Sequence, residues 1–267
     1  MNAFRILLRA DLRYALHSSR GVLFLVFYGV FWAWVFTRLA GGGAQALAGP
    51  EAGMIAGLIF GEDVARLFRE QSPTMAAFFV IALWATPLFA TMVGCDQTAS
   101  DLASKHLRFL IPRTGRGSIY LARYVGAAVL LAAAQVVATV LAAIVASLGE
   151  TGAAGDGVMF VVRIAAVLVV YSAAFVALFA PLTAAIPAPA VVALTGLGTY
   201  AVLVILAGTV KSRWPWMENV MFLTPGGFKT MLLEPGAGAS LTALAGLASL
   251  SAVYLAAGWS VFRGRDA

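Results

Sequence analysis

Residues 96–126 read DQTASDLASKHLRFLIPRTGRGSIYLARYVG. The stretch is basic and amphipathic, with Lys105, Arg108, Arg113, Arg116 and Arg123 set among Leu102, Phe109 and Leu110. It is trapped between the apolar runs 75–95 and 124–148, each about as long as the roughly 20 residues an α-helix needs to cross a bilayer. The charges must sit outside lipid, while the leucines and the phenylalanine seek burial. That mixture fits a surface where a membrane protein meets a cytoplasmic partner, because arginine and aromatic side chains are enriched at interfaces. The competing reading is a solvated basic anchor with no partner.

Working outward, the whole chain is apolar. Hydrophobic residues make up 61% of it and charged residues 11%, with a mean hydropathy of +0.91. Soluble domains carry about 25% charged residues, so an integral membrane protein is expected. Long Ala, Leu and Val runs without period-two alternation favour helices over a barrel. Six spans are expected, at 21–39, 75–95, 124–148, 158–180, 190–210 and 240–262, in a single all-α transmembrane domain over residues 1–267. The lone Cys95 excludes a disulfide within the chain and a zinc cluster built from thiolates, and His17 and His106 are too far apart for a helical metal pair. No cleavable leader is expected, because Arg5, Arg9, Asp11 and Arg13 interrupt the first apolar residues.

Charge sets the orientation. The side with the termini carries Arg5, Arg9, Arg13, Arg20, Lys105, Arg108, Arg113, Arg116, Arg123, Arg263 and Arg265 against Asp11, Asp96, Asp101 and Asp266. The opposite side, with the outer halves of its spans, holds seven basic residues against eight acids. Both termini and the 96–123 connection are therefore expected in the cytoplasm. Residues 181–189 are uncharged and contain Pro181, Pro187 and Pro189, which should end span four and join it tightly to span five.

Two outer connections are long. Residues 40–74 are Gly-rich, then partly apolar at 54–60, then charged. Residues 211–239 place Trp214, Trp216, Phe222 and Phe228 around Pro215, Pro225 and Gly226–Gly227. The second suits an outer re-entrant or interfacial segment, with tryptophans at the lipid boundary, or else an ordinary loop. At the other end, 1–20 is expected to form an amphipathic interfacial helix, the competing reading being a frayed terminus whose charges retain it at the membrane. Phe4, Leu7, Leu8, Leu12, Ala15 and Leu16 share one side, while Arg5, Arg9 and Arg13 form a stripe suited to the inner headgroups. Asp11 falls within the apolar arc, and an arginine of the central connection is its candidate partner.

Residues 96–112 should form one helix of about four turns. Asp96 and Asp101 lie near its positive end, with Lys105 and Arg108 toward its negative end. Pro112 would end it, and Gly115 and Gly117 would turn the chain toward span three. The order of Asp101, Phe109–Leu110, Pro112, Arg116, Ile119 and Arg123 resembles the loop of ABC transporter permeases of the second export type (ABC-2). There an acid, a Leu-Leu pair, a proline and an arginine precede an aliphatic and a basic residue. The Arg116–Ile119–Arg123 spacing agrees. Ser104–Lys105 stands where the family has Gly-Thr, and the Leu-to-Pro and Pro-to-Arg spacings each differ by one.

The resemblance covers essentially the whole chain. It implies six spans with an interfacial N-terminal helix, and a coupling helix at Asp101, Leu102, Lys105, Arg108, Phe109, Leu110, Pro112 and Arg116. It also implies two copies of a cytoplasmic ABC ATPase, a second permease copy or related permease, and the inner membrane of a bacterium. Periplasmic or envelope partners fit the family, and nucleic acid does not. ATP and magnesium would sit on the ATPase, with no cofactor in this chain.

The residues agree that the engine lies elsewhere. Gly226-Gly227-Phe228-Lys229-Thr230 lacks the Gly-Lys-Thr order of a P-loop, and no catalytic constellation stands out, so no enzyme activity is expected of the chain itself. None of the six expected spans holds Asp, Glu or His, which disfavours an ion-coupled secondary transporter. A membrane scaffold that recruits a cytoplasmic complex stays open. Gln135, Thr195, Thr199 and Tyr200 are candidates for a translocation path, or else for helix–helix hydrogen bonding. Arg163 should snorkel outward or pair with Asp156 or Glu150.

Overall fold

The computed structural model describes residues 3–44, 62–105, 107–149, 157–210, 217–234 and 236–265. Among these every regular element is helical. Helix α1 (Ala3–His17) leads into α2 (Ser19–Arg38) across Ser18, whose hydroxyl caps α2 by accepting from the Gly21 amide at 3.2 Å. Beyond a wide turn at Leu39–Gly43 come α3 (Glu62–Glu70) and α4 (Pro73–Gly94). Ser72 caps α4, and Pro73 opens it where no amide is needed. Helices α5 (Ala99–Ala103) and α6 (Leu107–Thr114) precede the long α7 (Arg116–Gly149). Helices α8 (Gly157–Ala185) and α9 (Pro189–Val210) form a hairpin. The chain then runs through α10 (Met217–Val220), two 3₁₀ turns (Met221–Leu223 and Pro225–Phe228), α11 (Lys229–Leu233) and α12 (Ala237–Arg263).

Among the described residues six helices, α2, α4, α7, α8, α9 and α12, are long and apolar enough to cross a membrane. They fall where the hydropathy of the sequence placed them. Their outward faces are aliphatic, as with Val22, Leu23, Val26 and Val30 on α2 and Val137, Val140, Leu141 and Ile144 on α7. Contiguous exposed apolar surface of that extent belongs to a protein whose solvent is lipid.

Helix α8 is the central strut, packed against α12, α7 and α4. Ile164, Leu168, Tyr171, Phe175 and Phe179 recur along it every three or four residues and are fully buried. Helix α2 is held to α4 by rings. Tyr28 meets Phe89 with centroids 4.7 Å apart, and Trp32 meets Phe78 at 4.7 Å. A separate cluster at the end of the bundle bearing both termini gathers Ile119, Tyr120, Ala180, Ala184 and Phe262, with Leu7, Leu102, Leu110 and Ile111 against it.

Expectations for residues 96–117 and for Pro181 need correction. Residues 96–112 are two short helices, not one. The break falls at Ser104–Lys105, where Lys105 has φ +55°, a left-handed conformation that costs a side chain about 1–2 kcal/mol. Arg108 consequently sits at the start of α6, not toward a helix end. Pro112 does not end α6, which continues to Thr114. Gly115, at φ +76°, terminates it, and its amide bonds the Ile111 carbonyl at 3.0 Å. Gly117 turns nothing and lies inside α7. Pro181 likewise lies inside α8, which runs on to Ala185 because Ala180 and Ala184 are buried. The lost proline amide is an acceptable loss where packing holds the last turn.

Candidate functional site

The termini end of the bundle is built around Arg123, on the first turns of α7. Its Nη1 lies 2.5 Å from Asp11 Oδ1 on α1, and Nη2 lies 2.8 Å from Asp101 Oδ2 on α5. Its Nε also donates to Asp101 Oδ2, at 2.9 Å. The arginine side chain is 26% exposed and each aspartate 15%, so this is a half-buried clasp joining three elements. Gly126, one turn on, faces α1, and a Cβ there would make an ordinary contact with Asp11 Cβ at 3.5 Å. Burial raises the Asp11 pKa above 3.8; Arg123 pulls it back, and Asp101 pushes it up again. Asp11 Oδ2 is buried without a partner, in keeping with that net rise.

Further contacts close the same end. Arg20 pairs with Asp96 and donates to Ser100 Oγ at 3.2 Å. Asp96 Oδ1 accepts from the Ser100 amide at 3.1 Å, fixing the start of α5. Arg116 donates to the Arg263 carbonyl, and Arg265 to the Ala185 carbonyl. Arg116, expected on the docking face, therefore covers the last carbonyls of α12, where a cation suits the helix dipole.

The remaining expected docking residues divide by burial. Leu102 and Leu110 pack onto the end cluster. Phe109 points away and is 74% exposed, beside exposed Pro112. Lys105 is exposed in the break, while the Arg108 side chain lies outside the described residues. On α1, Arg5, Arg9 and Arg13 are exposed, and Phe4, Leu7, Leu8 and Leu12 are partly buried. Leu16 departs from the expected arc and is 50% exposed.

The candidate path residues do not converge. Gln135 is 1% exposed, accepts from the Tyr28 hydroxyl at 3.1 Å and donates to Thr86 Oγ1 at 3.0 Å. It joins α2, α4 and α7, which is the helix-packing role. Thr195 and Thr199 lie one turn apart on the exposed face of α9, and Tyr200 turns the other way into the bundle.

What Tyr200 meets was not visible in the sequence. Residues 221–234 fold back among the helices. The Tyr254 hydroxyl donates to the Leu223 carbonyl, and Phe228 packs where Gly246 has no side chain. Gly226 is equally required, because a Cβ there would lie 2.6 Å from the Tyr200 hydroxyl. Lys229 Nζ donates to that hydroxyl at 3.1 Å and lies 3.9 Å from the centroid of the Trp84 ring. The return limb is stapled by Arg163, which donates to the carbonyls of Leu232 and Glu234 and to Ser240 Oγ at 2.7 Å. Asp156 and Glu150, its expected partners, lie outside the described residues, as do residues 54–60, Lys211, Arg213, Trp214 and Trp216. The signal for this site was the Gly-Gly-Phe-Lys order with no acid beside it, which as a motif means nothing.

No protein-family model matches the chain, and no curated protein matches it.

Proposed function

We propose that the chain is the membrane-spanning permease subunit of an ATP-driven exporter of the ABC-2 type, worked by a separate cytoplasmic ATPase present in two copies. A second permease, identical or related, completes the assembly. The chain would lie in a bacterial inner membrane with both termini in the cytoplasm, α1 at the inner headgroups and residues 221–234 re-entering the bilayer from outside. ATP and magnesium belong to the ATPase.

The observation that carries this reading is the Arg123 clasp. A push delivered to the α5–α6 connection has a stiff route into the bundle. Asp101 of α5 is bonded to α7, α7 to α1 through Asp11, and α6 rests on the end cluster through Leu110. Helix α7 runs unbroken for 34 residues, about 50 Å at 1.5 Å per residue, well beyond a ~30 Å hydrocarbon core. With the termini in the cytoplasm, its turns before residue 124 would reach the layer where an ATPase would stand. Phe109 is the aromatic knob left uncovered beside it, and such anchors dominate binding energy at interfaces.

The test is ATP turnover by the chain purified with its ATPase and reconstituted in lipid. Phe109→Asp should lower turnover at least tenfold and leave the thermal transition of the isolated chain unchanged, because the ring touches no core. Unchanged turnover, or failure of any nucleotide-hydrolysing protein to co-purify, removes the reading.

A further inference from the structure

The coupling assignment makes no use of Lys229, and the position of this residue is unusual. Trp84 lies eleven residues from the start of α4 and ten from its end, and Tyr200 is placed identically in α9. Each is therefore roughly 15 Å from both ends of its helix. The ammonium that touches both side chains sits at the midpoint of the apolar bundle. The registers of α8 and α12 agree. Leu223 meets Tyr254, seventeen residues into α12, whereas Glu234 has climbed to Arg163, six residues into α8.

A cation at that depth needs a counter-charge. Among the described residues no carboxylate pairs with Lys229. The six long helices contain no Asp or Glu at all, so a second copy packed alongside them brings none from its own helices to the midpoint. The donors are nonetheless set for an anion. An ammonium has three protons, of which one is given to Tyr200. The Tyr200 hydroxyl accepts that bond and keeps its own proton to donate. The two donor atoms are 3.1 Å apart, close enough to share one phosphate or carboxylate.

The approach is apolar. Trp84 is 50% exposed and Leu88, one turn on along the same face, is 39% exposed. A free ion would have to cross hydrocarbon to arrive there, whereas an anion carried on an alkyl chain would not.

We propose that Lys229 Nζ and the Tyr200 hydroxyl form a binding site for the anionic headgroup of an amphiphile, a phosphate or carboxylate on a hydrocarbon chain that lies along Trp84 and Leu88. The Trp84 ring holds the ammonium while the site is empty. Equilibrium binding needs no ATPase, so the site stands or falls apart from the coupling assignment.

The chain has three lysines, Lys105, Lys211 and Lys229, which makes ¹³C-methylation of the lysine amines a direct probe. In detergent-solubilised full chain, the Lys229 signal is assigned by its absence in Lys229→Met and confirmed by its persistence in Lys105→Arg and Lys211→Arg. Titration with dodecyl phosphate should move that signal saturably. Measured with radiolabelled dodecyl phosphate, Lys229→Met should weaken binding at least tenfold, while Lys229→Arg stays within about threefold of wild type. Tyr200→Phe, which keeps the ring, should weaken it several-fold. Inorganic phosphate and dodecanol should leave the signal in place. Equal movement by inorganic phosphate would identify a free-anion site and overturn the proposal. Equal binding of dodecanol, or a Lys229 signal that dodecyl phosphate does not move, would overturn it as well. The wild-type titration decides even if a variant folds poorly.

Discussion

Replacing Arg123 by methionine keeps the length of the side chain and removes the charge from the clasp. Asp11 and Asp101 would then face each other with three close nitrogen–oxygen contacts gone, at 2.5, 2.8 and 2.9 Å. Exposed ion pairs contribute about 0–1 kcal/mol, while removing one member of a buried pair costs about 3–5 kcal/mol. With side chains 15–26% exposed, the clasp belongs near the lower end of the buried range, so the expected loss is about 3 kcal/mol. At roughly 2–4 °C per kcal/mol for a chain of this size, the apparent transition should fall by about 6–12 °C. The assay is thermal unfolding of the purified chain in one detergent at pH 7. Neutralising the stranded carboxylates supplies the internal control. Arg123→Met combined with Asp11→Asn and Asp101→Asn should recover at least half of the loss, because much of the penalty is uncompensated buried charge. A single variant within about 2 °C of wild type, or a triple variant less stable than the single one, would refute the reasoning.

Gln135→Leu should lower the transition by only a few degrees, since hydrogen bonds between membrane helices average about 0.6 kcal/mol, and it should leave turnover of the reconstituted complex intact. A large loss of turnover without loss of stability would return Gln135 to the translocation path. Asp11 gives a pH signature. Burial raises its pKa in the folded chain above 3.8, so the folded state takes up a proton that the unfolded state does not. Its contribution to stability therefore grows as the pH falls through the raised value toward 3.8 and is lost as the pH rises again. Wild type measured against Asp11→Asn in thermal unfolding should gain as the buffer is acidified over that window, and a relative loss there would contradict the burial argument.

The six long helices were legible because one signal, an uninterrupted apolar run, decides each of them. The 96–112 region was less so. Its residues report polarity, but the two short helices on either side of Lys105 are held by Arg123 of α7 at Asp101 and by the end cluster at Leu110, and these are tertiary contacts. The prolines misled for the same reason. Pro112 and Pro181 each remove one amide, yet packing around them keeps a further turn helical, and Gly115 with its positive φ is what stops α6. Asp11 was readable as an anomaly within an apolar arc, and the anomaly had a partner. Gln135 was readable as polar but not as satisfied, because its donor, Tyr28, comes from α2 and its acceptor, Thr86, from α4, far away in sequence.

Lys229 shows what a one-dimensional count of charge leaves out. Counted by position along the chain, it belongs to an outer connection and weighs against the cytoplasmic placement of the termini. Counted by depth, it belongs to neither face, because its ammonium reaches the level of Trp84 and Tyr200. The outer side then keeps six basic residues against its eight acids. Withdrawing the lysine from the tally thus strengthens the orientation that the remaining charges give. A cation held inside an apolar bundle, with no carboxylate paired to it among the described residues, contributes nothing to topology and is costly to insert. Recognition of a negative charge that arrives from outside the chain is the role in which that cost is offset.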